Sequence, residues 1–298
     1  MQPPGQFRHW EGPARSRYPL QPLARLLRGG TSQSPGVLTG GAHVELPAKA
    51  HRGEIRNASP AQQNDARRLQ ALSADLAGRA DIDWTIHSHV TLSRLGLSRL
   101  LYYDHLYRQV LDVPGVILEF GVQWGATLSL LTNLRGMHEP YNLYRRIIGF
   151  DTFEGFPSVS PEDGQAPVAG DYSVPMGHVD LLGEVLDIHE AASPIAHVRK
   201  HELVVGDVIE TLPAWLADNP QAIVAMAILD LDLYEPTREA LHLILPRLTR
   251  GSVLVFDELN SRDFPGETRA LQEVLGLDRL RLHQYPHQPR CAWGVWDA

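Results

Sequence analysis

The sequence of 298 residues has one cysteine, no long apolar run and less positive than negative charge. The single Cys291 excludes an internal disulfide and any zinc site built from several cysteines. No apolar run approaches the ~18–20 residues that span a bilayer, and the first residues lack the apolar core of a signal peptide. With 27 Lys and Arg against 35 Asp and Glu, the net charge of −8 argues against nucleic acid or a membrane surface as the main partner. We therefore expect a cytoplasmic protein that acts on small molecules.

Composition divides the chain into three regions. Residues 1–60 are rich in proline, glycine, arginine and serine, which predicts either an irregular arm that contacts a neighbouring subunit of a homo-oligomer or a disordered tail. Residues 61–112 carry leucines three and four positions apart, which predicts a helical cap with helices over 61–80 and 93–110. From residue 113 to 298, short apolar runs alternate with helical stretches.

The third region predicts a doubly wound α/β fold. Five apolar runs rich in β-branched residues have the length of buried parallel strands, and a closing pair flanks Pro286 and Pro289. The runs lie at 116–118, 147–150, 203–205, 223–229 and 253–256, with the pair at 280–285 and 292–296. Helical patterns lie at 127–135, 208–218, 236–248 and 267–275, and the segment between the second and third strands is predicted as an insertion. A seven-stranded, mostly parallel sheet with an antiparallel edge follows.

An acidic residue ends, or closely follows, each of the five predicted strands. These residues are Glu119, Asp151, Asp207, Asp230 with Asp232, and Asp257 with Glu258. Because an open parallel sheet binds ligands at the carboxyl ends of its strands, we expect these carboxylates to share one edge. Such an edge suits sugar hydroxyls and a hard metal ion better than it suits phosphate.

The run Glu119-Phe-Gly-Val-Gln-Trp-Gly-Ala-Thr127 passes from the first strand into a helix. Gly121 lets a ligand approach the backbone closely, and Gly125 lets the helix begin tight against the sheet. The N–H groups at the start of the helix can bind a carboxylate. The run lacks the Gly-x-Gly-x-x-Gly pattern of dinucleotide-binding folds, and two glycines four positions apart are more often a packing feature than a ligand site.

Two further acids predict a nucleoside site. Asp151 is placed to accept hydrogen bonds from both ribose hydroxyls, although an aspartate there can also cap a helix or stabilise a turn. Asp207 repeats the pattern at the third strand, where an acid can reach an adenine amino group. Together with Glu119, these acids favour a nucleoside ligand.

The pairs Asp230-Leu-Asp232 and Asp257-Glu258 crowd like charges at adjacent strand ends. Alternation points Asp230 and Asp232 the same way, and neighbouring carboxylates ionise together only at a cost. Partial protonation, cover by arginine or lysine, or a bound cation would relieve this repulsion. Oxygen ligands without cysteine or histidine indicate Mg²⁺, with solvated turn acids as the competing interpretation. His178 is a candidate catalytic residue, although a lone histidine is more often a surface residue.

These residues together resemble class I S-adenosylmethionine-dependent methyltransferases, and more closely the macrocin O-methyltransferase-like branch, which methylates sugars in natural-product pathways. The resemblance covers roughly residues 113 to 298. It is carried by Glu119-Phe-Gly-Val with Gly125, Gly149-Phe-Asp-Thr-Phe-Glu-Gly-Phe-Pro157, Gly206-Asp207, Leu229-Asp-Leu-Asp-Leu-Tyr-Glu-Pro236, and Gly251 through Phe256-Asp-Glu258. The second and fourth of these runs are fairly specific, whereas the glycine motif is generic.

The resemblance implies a cofactor site, a metal site and a general base. S-adenosylmethionine would contact Glu119, Gly121, Val122, Gly125, Thr127, Asp151, Thr152, Phe153, Asp207, Val208 and Asp230. Mg²⁺ would bind Asp230, Asp257 and Glu258, with Asp232 as the general base. Relatives often carry two aspartates or Asp-Asn where this chain has Asp257-Glu258, so Glu258 departs from the family pattern.

The implied activity is methylation of a sugar hydroxyl, on a nucleotide sugar or on a glycosylated natural product. A nicotinamide-dependent sugar oxidoreductase is one alternative, and the missing dinucleotide pattern counts against it. A non-catalytic assembly protein with the same fold is the other. The sequence does not identify the acceptor or the hydroxyl that is used.

Overall fold

Seven strands form one sheet in the computed structural model, which describes residues 59–297. They are β1 (Val116–Phe120), β2 (Ile147–Asp151), β3 (His201–Val205), β4 (Val224–Leu229), β5 (Leu248–Phe256), β6 (His283–Tyr285) and β7 (Gln288–Val295). Their order is β3-β2-β1-β4-β5-β7-β6; β1 to β5 pair in parallel, and β7 is antiparallel to both of its neighbours. The predicted doubly wound, mostly parallel seven-stranded sheet is confirmed.

Helices cover both faces of this sheet, as parallel strands with two apolar faces require. The α-helices are α1 (Pro60–Ala77), α2 (Trp84–His87), α3 (Arg94–Gln109), α4 (Ala126–His138), α5 (His178–Ala191), α6 (Val208–Asp218), α7 (Tyr234–Ile244) and α8 (Gly266–Val274). Buried side chains of α3, α4 and α5 form one core layer with the sheet, and those of α6, α7 and α8 form the other. Between residues 59 and 297, no helix has both the length and the apolar character that a membrane span needs.

The N-terminal helices differ in how they pack. Helix α1 buries none of its residues, whereas α3 buries Tyr102, Tyr103, Leu106 and Tyr107 in the core layer that it shares with α4 and α5. Helix α3 is therefore part of the body of the fold. The predicted arm, residues 1–60, lies outside the described part of the chain except for its last two residues.

The insertion predicted between the second and third strands contains helix α5, which the sequence analysis did not assign. Its residues Leu182 and Leu186 are buried four positions apart. This spacing is a helical signal, and the same segment carries further apolar residues, among them Val179 and Val185. The helix packs beside α4 in the same layer, where Gly125 leaves room for the Leu182 side chain.

The parallel register brings the strand ends level. Phe120 pairs with Phe150 on one side and with Leu229 on the other, and Leu229 pairs with Phe256. The residues that follow Leu229 and Phe256, both aspartates, therefore leave the sheet side by side. Strands β1 and β4 are neighbours, and the chain winds outward from them in both directions, so the ligand-binding crevice is expected at their carboxyl ends.

Candidate functional site

A cavity of about 870 Å³ opens at the carboxyl ends of β1 to β5. This volume lies within the range of roughly 300–1,000 Å³ that is usual for small-molecule sites. Helix α3 and the hairpin of β6 and β7 close its sides through Arg99 and Arg290. The predicted site residues that line it are Glu119, Gly121, Val122, Thr127, Asp151, Thr152, Asp207, Val208, Asp230, Asp232, Asp257 and Glu258.

Three predicted site residues do not line this cavity. Gly125 precedes α4 with a φ of 78°, and the space left by its missing side chain is filled by Leu182. Phe153 is 5% exposed and lies in the core layer with α4 and α5. His178 begins α5, and its ring packs against Trp124 with 4.9 Å between centroids. All three have packing contacts, and His178 lies outside the group of polar residues that face the cavity.

The ends of β1 and β4 approach each other closely. Gly121 has a φ of 90°, and any side chain there would collide with the carbonyl oxygen of Asp230. Glu119 is 2% exposed, and its Oε2 has no hydrogen-bond partner among residues 59–297. Burial, and then repulsion from Asp230, raises the pKa of Glu119 well above its usual range. The site therefore contains a buried carboxyl group that favours its neutral form.

Asp151 holds the loop that follows β1. Its Oδ2 accepts hydrogen bonds from the backbone N–H of Val122 at 2.7 Å and of Gln123 at 2.8 Å, and its Oδ1 accepts one from Phe153 at 2.5 Å. A carboxylate has about four acceptor positions. Three of them serve the backbone, so a single position is left for a ligand. The sequence left open whether Asp151 stabilises a turn or binds a ligand, and in this geometry it can do both.

The far end of the cavity is formed by β2, β3 and the start of α6. Asp207 is the N-cap of α6 and accepts a hydrogen bond from Ile209 N at 2.9 Å, while Val208 beside it is 6% exposed. Thr152 Oγ1 donates to the carbonyl oxygen of Gly155 at 2.7 Å. This end carries two carboxyl groups, those of Asp151 and Asp207, whereas four meet at the opposite end.

Those four carboxylates, Asp230, Asp232, Asp257 and Glu258, are called the acid rim below. Burial, and then the Asp257 charge, raises the pKa of Asp230 to about 8. Burial, and then the Asp230 charge, raises the pKa of Asp232 well above its usual range. Burial also raises the pKa of Glu258, against the effect of Arg290. The crowding that the sequence predicted is present, and it is relieved in part by protonation.

Two arginines cover the acid rim. Arg99 of α3 places Nη2 3.4 Å from Asp230 Oδ2 and Nη1 3.8 Å from Asp257 Oδ1. Arg290 of β7 places Nη2 2.5 Å from Glu258 Oε1. Sequence reasoning named neither, because both lie far from the acids along the chain. Arg99 comes from a helix that precedes β1, and only the packing of that helix brings it to the rim.

No three side chains of histidine, cysteine, aspartate or glutamate in the described range 59–297 are arranged so that they could hold a metal ion. The donors of the acid rim are all oxygens, which suits Mg²⁺. The chemistry of the donor set therefore fits the predicted ion, whereas the carboxylates face Arg99 and Arg290 instead of converging on one point.

Three aromatic residues, Phe156, Tyr172 and Phe264, form a second wall of the cavity, called the aromatic wall below. The ring centroids of Phe156 and Tyr172 are 5.1 Å apart, and those of Tyr172 and Phe264 are 6.4 Å apart. Burial, and then the charge of Asp232, raises the pKa of Tyr172, which places the wall beside the acid rim. The sequence analysis assigned no role to these rings.

The loop after β2 holds this wall in position. Phe156 N donates to Asp171 O at 3.0 Å, and Gly170 N donates to Phe156 O at 2.9 Å. The same loop is joined to the start of α7 by Asp163, which is 1% exposed and accepts a hydrogen bond from Tyr234 N at 2.6 Å. These hydrogen bonds hold the part of the loop that carries Phe156 and Tyr172.

Comparison with known proteins places this site in a family. Residues 37–274 match the macrocin-O-methyltransferase (TylF) family. The crystal structure of CalS11, a calicheamicin methyltransferase, is similar, with 45% identity, a TM-score of 0.76, and coverage of 82% of this chain and 97% of that chain. The apo structure of CalS11, there described as a TDP-rhamnose 3'-O-methyltransferase, gives 43% identity, a TM-score of 0.70, and coverage of 80% and 96%.

A relative of known activity was also found by sequence. It is the 8-demethyl-8-(2,3-dimethoxy-alpha-L-rhamnosyl)-tetracenomycin-C 4'-O-methyltransferase of Streptomyces olivaceus, which is 28% identical over 189 residues. The match spans 59% of this chain and 64% of that protein, slightly less than two thirds of its length.

Proposed function

This chain belongs to the macrocin O-methyltransferase (TylF) family, whose members use S-adenosylmethionine, and we propose that it methylates a hydroxyl group of a sugar. One observation carries the proposal. The cavity is lined by eight carboxyl side chains and two arginines: Glu119, Asp151, Asp207, Asp230, Asp232, Asp257, Glu258, Asp263, Arg99 and Arg290. Such a lining attracts a cofactor with a net positive charge.

The cofactor would lie across the carboxyl ends of β1, β2 and β3. Asp151 has one acceptor position left for a ribose hydroxyl, and Asp207 with Val208 lines the end proposed for adenine. Glu119 and Asp230 line the end proposed for the methionine part, where their carboxyl groups can accept hydrogen bonds from its ammonium group.

The proposed reaction is an in-line displacement. The acceptor oxygen bonds to the methyl carbon as the carbon–sulfur bond breaks, so the sulfonium becomes the neutral thioether of S-adenosylhomocysteine. The hydroxyl proton passes to Asp232, which must be ionised to accept it; a cation bound at the acid rim would favour that ionised form. The protein contributes mainly by holding the oxygen behind the methyl carbon.

We propose that the acid rim binds Mg²⁺, with Asp230, Asp257 and Glu258 as its ligands. The all-oxygen donor set and the mutual repulsion of these carboxylates support it. When bound, Mg²⁺ would lower the pKa of the acceptor hydroxyl. Arg99 and Arg290 now cover these carboxylates, so ion binding requires that the arginines release part of the rim.

The proposed acceptor is a deoxyhexose carried on a nucleotide. The aromatic wall supports a sugar, because aromatic rings pack against the apolar face of a pyranose while the acid rim accepts hydrogen bonds from its hydroxyls. The similarity to CalS11, described as acting on TDP-rhamnose, supports the nucleotide-linked form. The Streptomyces olivaceus relative, which acts on a rhamnosyl tetracenomycin, supports a finished glycoside as the second choice. No observation favours the nicotinamide-dependent alternative.

A transfer assay with labelled S-adenosylmethionine tests the function. We expect label in TDP-rhamnose or a related TDP-deoxyhexose, and not in free nucleoside diphosphates. Transfer of label only to glycosides would show that the acceptor is a finished glycoside and not a nucleotide sugar. Absence of S-adenosylhomocysteine binding in calorimetry would refute the methyltransferase proposal itself. The cytoplasmic location stays a prediction. So does the formation of a homo-oligomer through contacts of residues 1–60, which light scattering of the full chain tests.

A further inference from the structure

We propose that Arg99 of helix α3 binds the methionine carboxylate of the cofactor, and that this contact further stabilises α3 when the cofactor is bound. The proposal rests on the use of S-adenosylmethionine, and it does not depend on the acceptor. It assigns a binding role to a residue that lies outside the strand-end motifs.

The position of Arg99 supports this role. Its Nε and Nη2 donate to Thr127 Oγ1 at 3.2 and 2.9 Å, in the first turn of α4. Its guanidinium carbon lies 5.4 Å from the centre of the Tyr103 ring, which is buried beneath it. These contacts hold the guanidinium at the wall of the cavity, next to the residues that line the end proposed for methionine.

The edge of the guanidinium formed by Nη1 and Nη2 faces Asp257 and Asp230 and makes only long contacts with them. Nη1 lies 3.8 Å from Asp257 Oδ1, beyond hydrogen-bond distance, and the contact from Nη2 to Asp230 is long at 3.4 Å. A carboxylate that accepts two parallel N–H bonds from arginine is the strongest common partner of this group. Arg99 is therefore held firmly by Thr127 and Tyr103 but only loosely by the acid rim.

Charge complementarity leads to the same partner. S-adenosylmethionine carries two positive groups and one negative group, the carboxylate. Eight carboxyl side chains line the cavity and would repel that group. Two arginines and no lysine line it, and Arg290 lies on the hairpin beside Glu258, whereas Arg99 contacts Thr127. Arg99 is thus the lining cation at the end of the cavity that is formed by β1 and α4.

The alternative role for Arg99 is to neutralise the acid rim without touching the cofactor. Calorimetry in EDTA separates the two roles. The ligands are S-adenosylhomocysteine and its decarboxylated analogue, which keeps the amine and lacks only the carboxylate. The proteins are the wild type, Arg99→Lys, Arg99→Ala and the control Arg94→Ala, which removes an exposed arginine of the same helix.

We expect Arg99→Ala to weaken S-adenosylhomocysteine binding by about 10- to 100-fold, since hydrogen bonds to charged groups contribute about this much. Binding of the decarboxylated analogue should change less than about threefold, which also shows that the variant is folded. The affinity of Arg99→Lys for S-adenosylhomocysteine should lie between those of the wild type and Arg99→Ala, because lysine keeps the charge without the planar fork of arginine. Arg94→Ala should match the wild type.

Hydrogen exchange gives a second readout. S-adenosylhomocysteine should slow amide exchange in residues 94–109 of the wild type, and this protection should be lost in Arg99→Ala. Equal weakening of both ligands in Arg99→Ala, or of neither, would overturn the proposal. Failure of the wild type to bind S-adenosylhomocysteine would instead refute the proposed function, so the two failures are distinguishable.

Discussion

The buried carboxyl group of Glu119 makes the stability of the free enzyme depend on pH. Glu119 is 2% exposed, its Oε2 is unpaired among the described residues, and burial raises its pKa well above the usual range. In the unfolded chain a glutamate ionises at a pKa of about 4.3. Above that pH the folded state therefore holds a proton that the unfolded state has lost.

The sign and size of the effect follow from this difference in proton binding. A raised pKa in the folded state means that the contribution to stability is full below the unfolded pKa and declines as the pH rises toward the folded pKa. One extra proton in the folded state costs up to about 1.4 kcal/mol per pH unit. Between pH 5 and 7, Glu119 should therefore lower the free energy of unfolding by up to about 2.7 kcal/mol.

Glu119→Gln removes this contribution, because glutamine has nearly the same shape and does not ionise. We expect chemical denaturation in EDTA to show a flatter dependence on pH for Glu119→Gln than for the wild type. The acid rim is the same in both proteins, so the difference between the two curves isolates Glu119. Glu154→Gln, at an exposed loop position, is the control and should run parallel to the wild type. Parallel curves for Glu119→Gln and the wild type would show that Glu119 is ionised in the folded protein and would refute the reasoning.

Two further predictions concern the acid rim and the aromatic wall. Asp257→Ala should abolish the heat of Mg²⁺ binding in calorimetry while S-adenosylhomocysteine still binds. The control Asp218→Ala, at an exposed end of α6, should bind both Mg²⁺ and S-adenosylhomocysteine. Full wild-type activity in EDTA would refute the magnesium proposal. Tyr172→Ala should raise the KM for the sugar acceptor by up to about tenfold, in line with the ~0.5–1.5 kcal/mol of an aromatic ring contact, and leave S-adenosylhomocysteine affinity unchanged. Tyr172→Phe should behave as the wild type if the ring acts by stacking, and Tyr141→Ala, a surface tyrosine that is 73% exposed, is the control. An unchanged KM in Tyr172→Ala would remove the wall from the acceptor site.

The fold and much of the lining were predictable because both follow from local patterns. Apolar runs of strand length gave the five parallel strands, and an acid after each run marked the edge where a parallel sheet binds ligands. Asp230 and Asp257 leave the sheet side by side because Leu229 and Phe256 are paired in register.

The missing parts depend on contacts between segments that are distant in sequence. Arg99 reaches the acid rim because Tyr102 and Tyr103 anchor α3 to the sheet, and nothing in the sequence around Arg99 marks it as a site residue. The aromatic wall depends on a loop that Asp163 joins to α7, across 71 positions. Phe153 belongs to a specific motif, yet its positive φ of 57° and its burial direct the ring into the core.

The distribution of ionised and neutral carboxyl groups in the cavity bears directly on catalysis. Positive charge leaves the sulfur as the methyl group is transferred and develops on the acceptor oxygen. A carboxylate held against the sulfonium would stabilise the bound cofactor more than the transition state, and so would slow the transfer. Because burial raises the pKa of Glu119, its neutral form limits this effect at the cofactor end. The acid rim lies beside the aromatic wall, where in the proposed reaction Asp232 would stabilise the developing charge and take the proton. The proposed mechanism therefore assigns different steps to the acid at the end of β1 and to the acids at the ends of β4 and β5, although all of them are carboxylic acids.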